Sequence, residues 1–197
     1  MAGGLRLEKA IEPAATTAPA RCQIKPSPAL SIIGKAPETL KGRAIALLVS
    51  DGADCGLIEA FRTAVRKEGA HLKIVAPHVG GAKTGDGKLI EADHQLAGAP
   101  SIFFDAVAVI CIGVGRSRAG TRSRSGAVSF LLDAFNHLKV IGYVPPAKPL
   151  LHRAGITDEL GDDGVVKLTA ANAIAGFIAE AKKTRMWDRE PKVRNLP

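Results

Sequence analysis

Four short apolar runs, separated by helical patterns, constrain the fold more than any other feature of the sequence. Runs of this kind, apolar at nearly every position, are typical of strands that a parallel sheet buries on both faces. They are AIALLVS (44–50), HLKIVA (71–76), DAVAVICI (105–112) and VIGYV (140–144). Leu57, Ile58, Phe61 and Val65 form one helix face between the first two runs. Strand, helix and strand in succession predict a βαβ unit with parallel strands.

The rest of the chain continues this alternation. Asp86-Gly87 predicts a small hairpin, and the apolar spacing of residues 128–138 predicts a helix. A short strand at 165–168 and a final helix, capped by Thr169, complete the pattern. The sequence therefore predicts an α/β fold, a flavodoxin-like three-layer sandwich with a mostly parallel sheet, over residues 42–184. Residues 1–41 are expected to form a Pro/Ala-rich linker and residues 185–197 a basic tail.

An apolar island interrupts the linker. Five prolines favour extended chain across residues 1–41, but residues 27–33 read SPALSII. Leu30, Ile32 and Ile33 are therefore candidate docking residues, and Trp187 is a candidate anchor in the tail. A linker that is disordered throughout remains an alternative.

The formal net charge of +8 permits attraction to polyanions. The arginines concentrate in a predicted basic loop at residues 116–125, as Arg116, Arg118, Arg122 and Arg124. This loop is either a contact for an anion or acidic surface, or simply solvated. Few aromatic residues accompany the basic ones, so binding to nucleic acid is not expected.

Targeting and metal signals are missing from the sequence. No apolar run is long enough to span a bilayer, and no secretory signal begins the chain, so a cytoplasmic location is expected. Three scattered cysteines, without a Cys/His cluster, predict neither a disulfide framework nor a metal site.

Catalytic patterns also fail where the fold would place them. The turn after the strand at 140–144 holds Pro145 and Pro146, which offer neither a nucleophile nor a backbone N–H. The first βα turn carries Asp51 and Asp54, which would repel a flavin or nucleotide phosphate. Cys55 follows at the start of a predicted helix, either as a reactive thiol or as a small filler.

From residue 27 onward the chain resembles the C-terminal domain of large-subunit heme catalases. The matching segments, in order, are PSPALSIIGK (26–35), KGRAIALLVSDGAD (41–54), LAGAPSIFFDAVAV (96–109), DAFNHLKVIGY (133–143) and KTRMWDREPKV (183–193). That domain is in turn similar to the PfpI-like branch of the class I glutamine amidotransferase-like superfamily. The resemblance places Leu57 at the acidic position of that branch, Pro145 at its cysteine and Pro146 at its histidine.

The resemblance implies a non-catalytic accessory domain with no cofactor of its own, because heme belongs to the core of the parent catalase. It implies packing on that core and on neighbouring subunits of a homotetramer, with support of stability and assembly. Holdase-type chaperone activity toward unfolded clients is a further expectation. The alternatives are a PfpI-like cysteine hydrolase using Cys55 or Cys111, and a polyanion-binding module using the arginines.

Overall fold

The computed structural model describes Lys25, residues 27–110 and residues 118–194, and of residues 118–123 and Ala171 it describes the backbone only. The strands are β1 (Ala44–Val49), β2 (His71–Ala76), β3 (Ala82–Lys83), β4 (Leu89–Ile90), β5 (His94–Gln95), β6 (Ala106–Ile110), β7 (Val140–Tyr143) and β8 (Val165–Lys167). The helices are α1 (Cys55–Lys67), α2 (Arg118–Asn136), α3 (Lys148–Arg153), α4 (Ala171–Lys182) and α5 (Glu190–Arg194).

Six of the strands form one parallel sheet in the order β5-β2-β1-β6-β7-β8. The central strand β1 pairs with β2 and β6, so that Ile45 lies opposite both Leu72 and Ala106. Without the short strand β5 and the separate β3–β4 hairpin, the order is the 2-1-3-4-5 of flavodoxin-like folds. The predicted α/β sandwich with a mostly parallel sheet is therefore confirmed.

Helices cover the sheet on its two faces. On one face α1 packs against α4, where the rings of Phe61 and Phe177 meet edge to face at 5.5 Å. Phe177 also lies over β7, since a Cβ at Gly142 would come within 2.9 Å of its ring. In the other helical layer α2 packs against α3 and α5. The glycine in β7 thus permits close approach of an aromatic ring to the strand backbone.

The chain divides into two units at Ile32 and Ile33. In the described part of the first unit, the Ser27 carbonyl accepts hydrogen bonds from the N–H groups of Leu30 and Ser31, both at 3.1 Å, which forms a turn. The second unit contains the sheet and all the helices of the described residues. Leu40 lies in its hydrophobic core and is fully buried.

Two local predictions were wrong. Residues 118–125 are not part of a loop, because α2 begins at Arg118. The segment holds no proline, and arginine and alanine favour helix, so its basic composition does not prevent helix formation. Thr169 does not cap the last helix, because Ala170 is the N-cap residue and makes no side-chain capping bond.

Arg189 fixes the C-terminal segment to the body of the second unit. Its fully buried guanidinium donates to both carboxylate oxygens of Asp162, at 2.6 and 2.7 Å, and to the Lys139 carbonyl at 2.8 Å. The guanidinium carbon also lies 4.3 Å from the ring centroid of Phe135. Planar bidentate pairing of this kind suits arginine and not lysine. Arg189 therefore anchors the tail, while Trp187 is half-buried and its anchoring role stays a prediction.

A second buried cation lies just before β7. Lys139 is 1% exposed, and its Nζ donates a hydrogen bond of 2.5 Å to the carbonyl of Ser101. This bond attaches the short 3-10 turn Ser101–Phe103 to the start of the strand. Burial, with a smaller contribution from the nearby Arg185, lowers the pKa of Lys139 to about 8.

We expect Arg189→Ala to destabilise the second unit by about 3–5 kcal/mol, because it leaves the Asp162 carboxylate without its buried partner. The control is Arg194→Ala, which removes an exposed ion pair with Glu190 and should cost less than about 1 kcal/mol. Denaturant unfolding measures both free energies. Equal losses in the two variants would contradict the anchoring role of Arg189.

The pH dependence of stability should contain the signature of Lys139. Its pKa falls from 10.5 in the unfolded chain to about 8 in the folded one. The unfolded chain therefore binds more protons between these values, so this group makes stability rise with pH, by at most about 1 kcal/mol per unit. Lys139→Met should remove that rise, and exposed Lys167→Met should keep it. Parallel wild-type and Lys139→Met curves from pH 8 to 10 would show that Lys139 does not titrate there.

Candidate functional site

The carboxyl edge of the sheet is where an open α/β fold places its chemistry, at the point where the strand order reverses. That point lies between β1 and β6. Residues 51–54 follow β1, and Pro145 follows β7 two strands away at the same edge. Residues 111–117, which follow β6, lie outside the described residues, and Cys111 and Arg116 lie there with them.

Asp54 occupies the N-terminus of α1, where a phosphate would bind in a nucleotide-binding protein. Its carboxylate accepts hydrogen bonds from the N–H groups of Gly56 and Leu57, at 2.8 and 3.2 Å. An N-cap aspartate satisfies these donors and brings its own negative charge. The Asp54 carboxylate therefore occupies the position at the helix N-terminus where the phosphate of a ligand would bind.

The β3–β4 hairpin fills the space beside this first turn. The N–H of Gly52 donates to the Lys83 carbonyl at 2.7 Å, and the N–H of Lys83 donates to the Asp51 carboxylate at 2.9 Å. Gly85 donates in turn to the Ala53 carbonyl at 3.0 Å. The backbone donors that a phosphate loop would turn toward a ligand are thus bonded to protein groups.

The hairpin is itself closed by side chains. Asp86 accepts a hydrogen bond from the Thr84 hydroxyl and pairs with the Lys88 ammonium at 3.2 Å. These two partners, Thr84 first, lower the pKa of Asp86. Thr84 is buried, and its hydroxyl, whose single proton is shared between the two acceptors, also lies 2.9 Å from the Lys88 carbonyl. The polar groups of the turn residues therefore form hydrogen bonds and an ion pair within the hairpin and stabilise it.

The three positions that the resemblance aligns with a catalytic set carry no reactive group. Leu57 is half-buried in the first turn of α1 and packs against the core. Pro145 and Pro146 are exposed and begin the 3-10 turn Pro145–Ala147, where the first N–H is that of Ala147, bonded to the Val144 carbonyl at 2.8 Å. Neither an acid, nor a nucleophile, nor a free pair of N–H donors is provided at these positions.

A polar cavity of about 330 Å³ lies beside Tyr143. Its Lys148 and Asp158 form an ion pair at 2.7 Å, and the Nε2 of His152 is 3.9 Å from the same carboxylate. The hydrogen bond between Lys148 and Asp158 raises the pKa of the lysine and lowers that of the aspartate. The Lys148 side chain is 42% exposed and that of Asp158 is 72% exposed, so solvent screens the pair and it adds little to stability.

This cavity does not suit heme. Tyr143 is the chain's only tyrosine, and charged side chains surround it, whereas a heme macrocycle needs a large apolar pocket. Among the described residues, no cysteine or serine lines the cavity. In the described ranges no group of histidine, cysteine and acidic side chains could hold a metal ion.

Of the predicted cysteine and arginine sites, the structure describes Cys55 and three of the four arginines. Cys55 is a free, half-buried thiol at the first position of α1. Arg118, Arg122 and Arg124 lie on α2 instead of in a loop. The side chains of Arg118 and Arg122 lie outside the description, and Arg124 is half-buried. A common arginine surface therefore stays a prediction.

The exposed apolar side chains include a group that the sequence analysis missed. In the first unit, Leu30 is 84% exposed and Ile32 67%. In the second unit, Ile33 is 58% exposed, and Ile102 and Phe103 are 64% and 60% exposed. The sequence run SIFF (101–104) could have indicated Ile102 and Phe103, because the end of one strand cannot bury three consecutive large apolar side chains. The Phe103 ring meets that of buried Phe104 edge to face at 6.5 Å.

No helix in the described ranges has the length and apolar character needed to cross a membrane. The expected cytoplasmic location stays a prediction.

Comparison with known proteins shows the family. The profile of a family described as the C-terminal domain found in long catalases matches residues 41–191. Catalase C of Rhizobium meliloti (strain 1021) is 43% identical over 190 residues, which cover 96% of this chain and 26% of that protein. Catalase HPII of Mycobacterium avium is 34% identical, covering 83% of this chain and 25% of the relative. Catalase HPII of Pseudomonas aeruginosa is 31% identical, covering 89% and 24%.

The chain thus spans about a quarter of the length of the curated relatives it matches. The family profile covers most of the chain, including the whole sheet, the β3–β4 hairpin and the Arg189 anchor. The chain therefore belongs to the family of C-terminal domains found in long catalases.

Proposed function

We propose that this chain is a non-catalytic accessory domain of a long catalase, which removes hydrogen peroxide with heme held elsewhere in the protein. One observation carries the proposal. The carboxyl edge of the sheet is filled by the Asp54 cap and the β3–β4 hairpin, and the turn after β7 holds Pro145 and Pro146. Such an edge can serve as a scaffold, and the three positions that the resemblance aligns with a catalytic set, Leu57, Pro145 and Pro146, hold no group for covalent or acid–base chemistry.

The accessory role requires a surface that docks on the rest of the catalase. Leu30, Ile32 and Ile33 expose more than half of their side-chain surface, and complete burial of each contributes about 1.5–3 kcal/mol. Ile102 and Phe103 offer a second apolar surface of the same kind. The remaining catalase core and neighbouring subunits of a homotetramer are the proposed partners of these residues, and Trp187 is a further candidate.

A holdase activity follows from the same surfaces if the domain is separated from its core. Exposed apolar side chains bind partly unfolded proteins when no permanent partner covers them. Chaperone activity is therefore a proposal that depends on the docking residues being open.

The accessory role predicts a gain in heat resistance for a catalase that regains this domain. In a chimera, this chain replaces the last quarter of Catalase C, to which it is 43% identical. We expect the chimera to inactivate on heating at least about tenfold more slowly than the truncated protein, since about 1.4 kcal/mol of added barrier gives that factor. Turnover per heme should be unchanged. Residual peroxide-removing activity after timed heating measures the effect.

The chimera with Leu30→Ser, Ile32→Ser and Ile33→Ser should lose most of that protection, whereas Lys25→Ser with Lys35→Ser serves as a control within the same stretch. Equal half-lives for the truncated protein and the intact chimera would refute the accessory role. Protection that survives the triple substitution would leave the role intact and assign docking to another surface, with Ile102→Ser and Phe103→Ser as the next pair.

The holdase proposal predicts that the isolated chain suppresses light scattering from a heat-denaturing client enzyme at equal molar amounts. Suppression should persist in moderate salt, because apolar contacts are not screened as charge contacts are. The Leu30→Ser, Ile32→Ser, Ile33→Ser variant should suppress less. An unrelated protein of net charge near +8 controls for simple electrostatic adsorption, and if it suppresses scattering equally, the chain is not a chaperone.

A further inference from the structure

The face formed by α1 and α4 carries an open groove of about 820 Å³ that no large side chain fills. Its floor consists of small and branched apolar residues, which are Ala60, Ala64, Ile174, Ala175, Ile178 and Ala179. Ala175 and Ala179 are exposed, and Ala60 and Ala64 are half-buried. Small residues on two adjacent helices allow another helix pair to approach closely.

The rim of this groove is charged but neutral in sum. Three carboxylates, from Glu38, Glu59 and Glu68, stand beside three ammonium groups, from Lys67, Lys182 and Lys183. The whole chain carries a formal charge of +8, so all of that excess lies outside this face. Two copies of the chain repel one another through their net charge, and this face avoids that repulsion.

Part of the rim is paired within one copy, and part is not. Lys182 bridges α4 to Glu68 of α1 at 2.8 Å, and Lys183 pairs with Glu180 at 2.8 Å. Glu59 pairs with Arg62 at 3.1 Å. Among the described residues, the side chains of Glu38 and Lys67 have no ion-pair partner. In a twofold contact the same face of two copies meets. The unpaired Glu38 of one copy can then pair with the unpaired Lys67 of the other, and the reverse pair forms as well.

We propose that the α1–α4 face binds a second copy of this chain through a twofold contact, with the apolar floors together and the carboxylates of one copy against the lysines of the other. Helices of 13 and 12 residues are about 20 Å long, so the two copies meet along one short helix pair each. The dimer is therefore dependent on concentration and dissociates on dilution. This contact is separate from the apolar residues assigned to core docking.

Sedimentation velocity of the chain over a wide range of concentrations tests the proposal. The wild type should shift from monomer to dimer as concentration rises. Ala179→Arg places a cation on the exposed floor and should weaken the dimer at least tenfold. Asn172→Arg is the matched control, because it adds the same charge at an exposed position of the same helix outside the groove, and it should dimerise like the wild type.

A charge exchange distinguishes this contact from any other self-association. One variant carries Glu38→Lys and Glu59→Lys, and a second carries Lys67→Glu and Lys183→Glu. Each alone should remain monomeric, because its rim repels its own copy. An equimolar mixture should form a heterodimer, since the two rims are then complementary. Circular dichroism and thermal unfolding of each variant show that it is folded.

Three results would overturn the proposal. One is a wild type that stays monomeric up to its solubility limit. Another is equal association of the Ala179→Arg and Asn172→Arg variants, and the third is a mixture of the charge variants that fails to associate. If the wild type is monomeric but binds truncated Catalase C, and Ala179→Arg weakens that binding, then the groove belongs to the catalase core instead of to a second copy.

Discussion

A parallel sheet must be covered on both faces, and the rest of this molecule depends on that requirement. Strand β1 lies at its centre and is buried at nearly every position, with β2 on one side and β6 on the other. Each crossover between parallel strands returns the chain over one face, so the connections themselves become the two covering layers. The α1–α4 pair and the α2–α3–α5 group are therefore consequences of the strand pattern.

The same arrangement brings the carboxyl ends of the strands together at one edge, where an open α/β fold places its chemistry. In this chain the edge is made of stabilising features. Asp54 satisfies the first donors of α1, the hairpin bonds to the first turn, and two prolines restrict the turn after β7. Caps are worth about 1 kcal/mol each, and a proline in a compatible turn up to about 1 kcal/mol. These features at the edge therefore support the fold.

The strands and the hairpin could be predicted from the sequence because their signals are local. Apolar runs such as AIALLV and the Asp86-Gly87 turn specify their structure within a few residues. Arg189 could not be found in this way, because an arginine in a basic tail is normally exposed. Its ion-pair partner Asp162 is 27 residues away in the sequence, and Lys139, whose carbonyl accepts another of its hydrogen bonds, is 50 residues away. A charged side chain is buried only when residues distant in the sequence supply its ion-pair and hydrogen-bond partners, and local sequence patterns do not identify such residues.

The candidate site shows a similar division. The sequence could identify residues at the carboxyl edge, since the end of β7 locates Pro145 and Pro146, and the resemblance places Leu57 near the start of α1. It could not show that the hairpin would bond to the first turn, because hydrogen bonds such as Gly52 to Lys83 join segments 31 residues apart. The arginine segment was placed in a loop because its composition is polar. Helix α2 instead includes this segment from Arg118 onward. A polar composition therefore does not by itself predict a loop, because the helix propensity of the same residues must also be considered.

Backbone strain in the second unit lies at the opposite edge of the sheet. Within the described residues, the non-glycine residues with positive φ are Leu138, at 58°, and Thr184, at 71°. Leu138 ends α2 with the bonds Leu138 N–H to Phe135 and Lys139 N–H to Ala134, a termination that usually uses glycine. The buried cations Lys139 and Arg189 hold this region in place. Enzymes of this architecture concentrate strain near their reactive groups. Here the strain accompanies the anchor of the C-terminal segment, so the two strained residues lie where the buried cations hold the backbone in place.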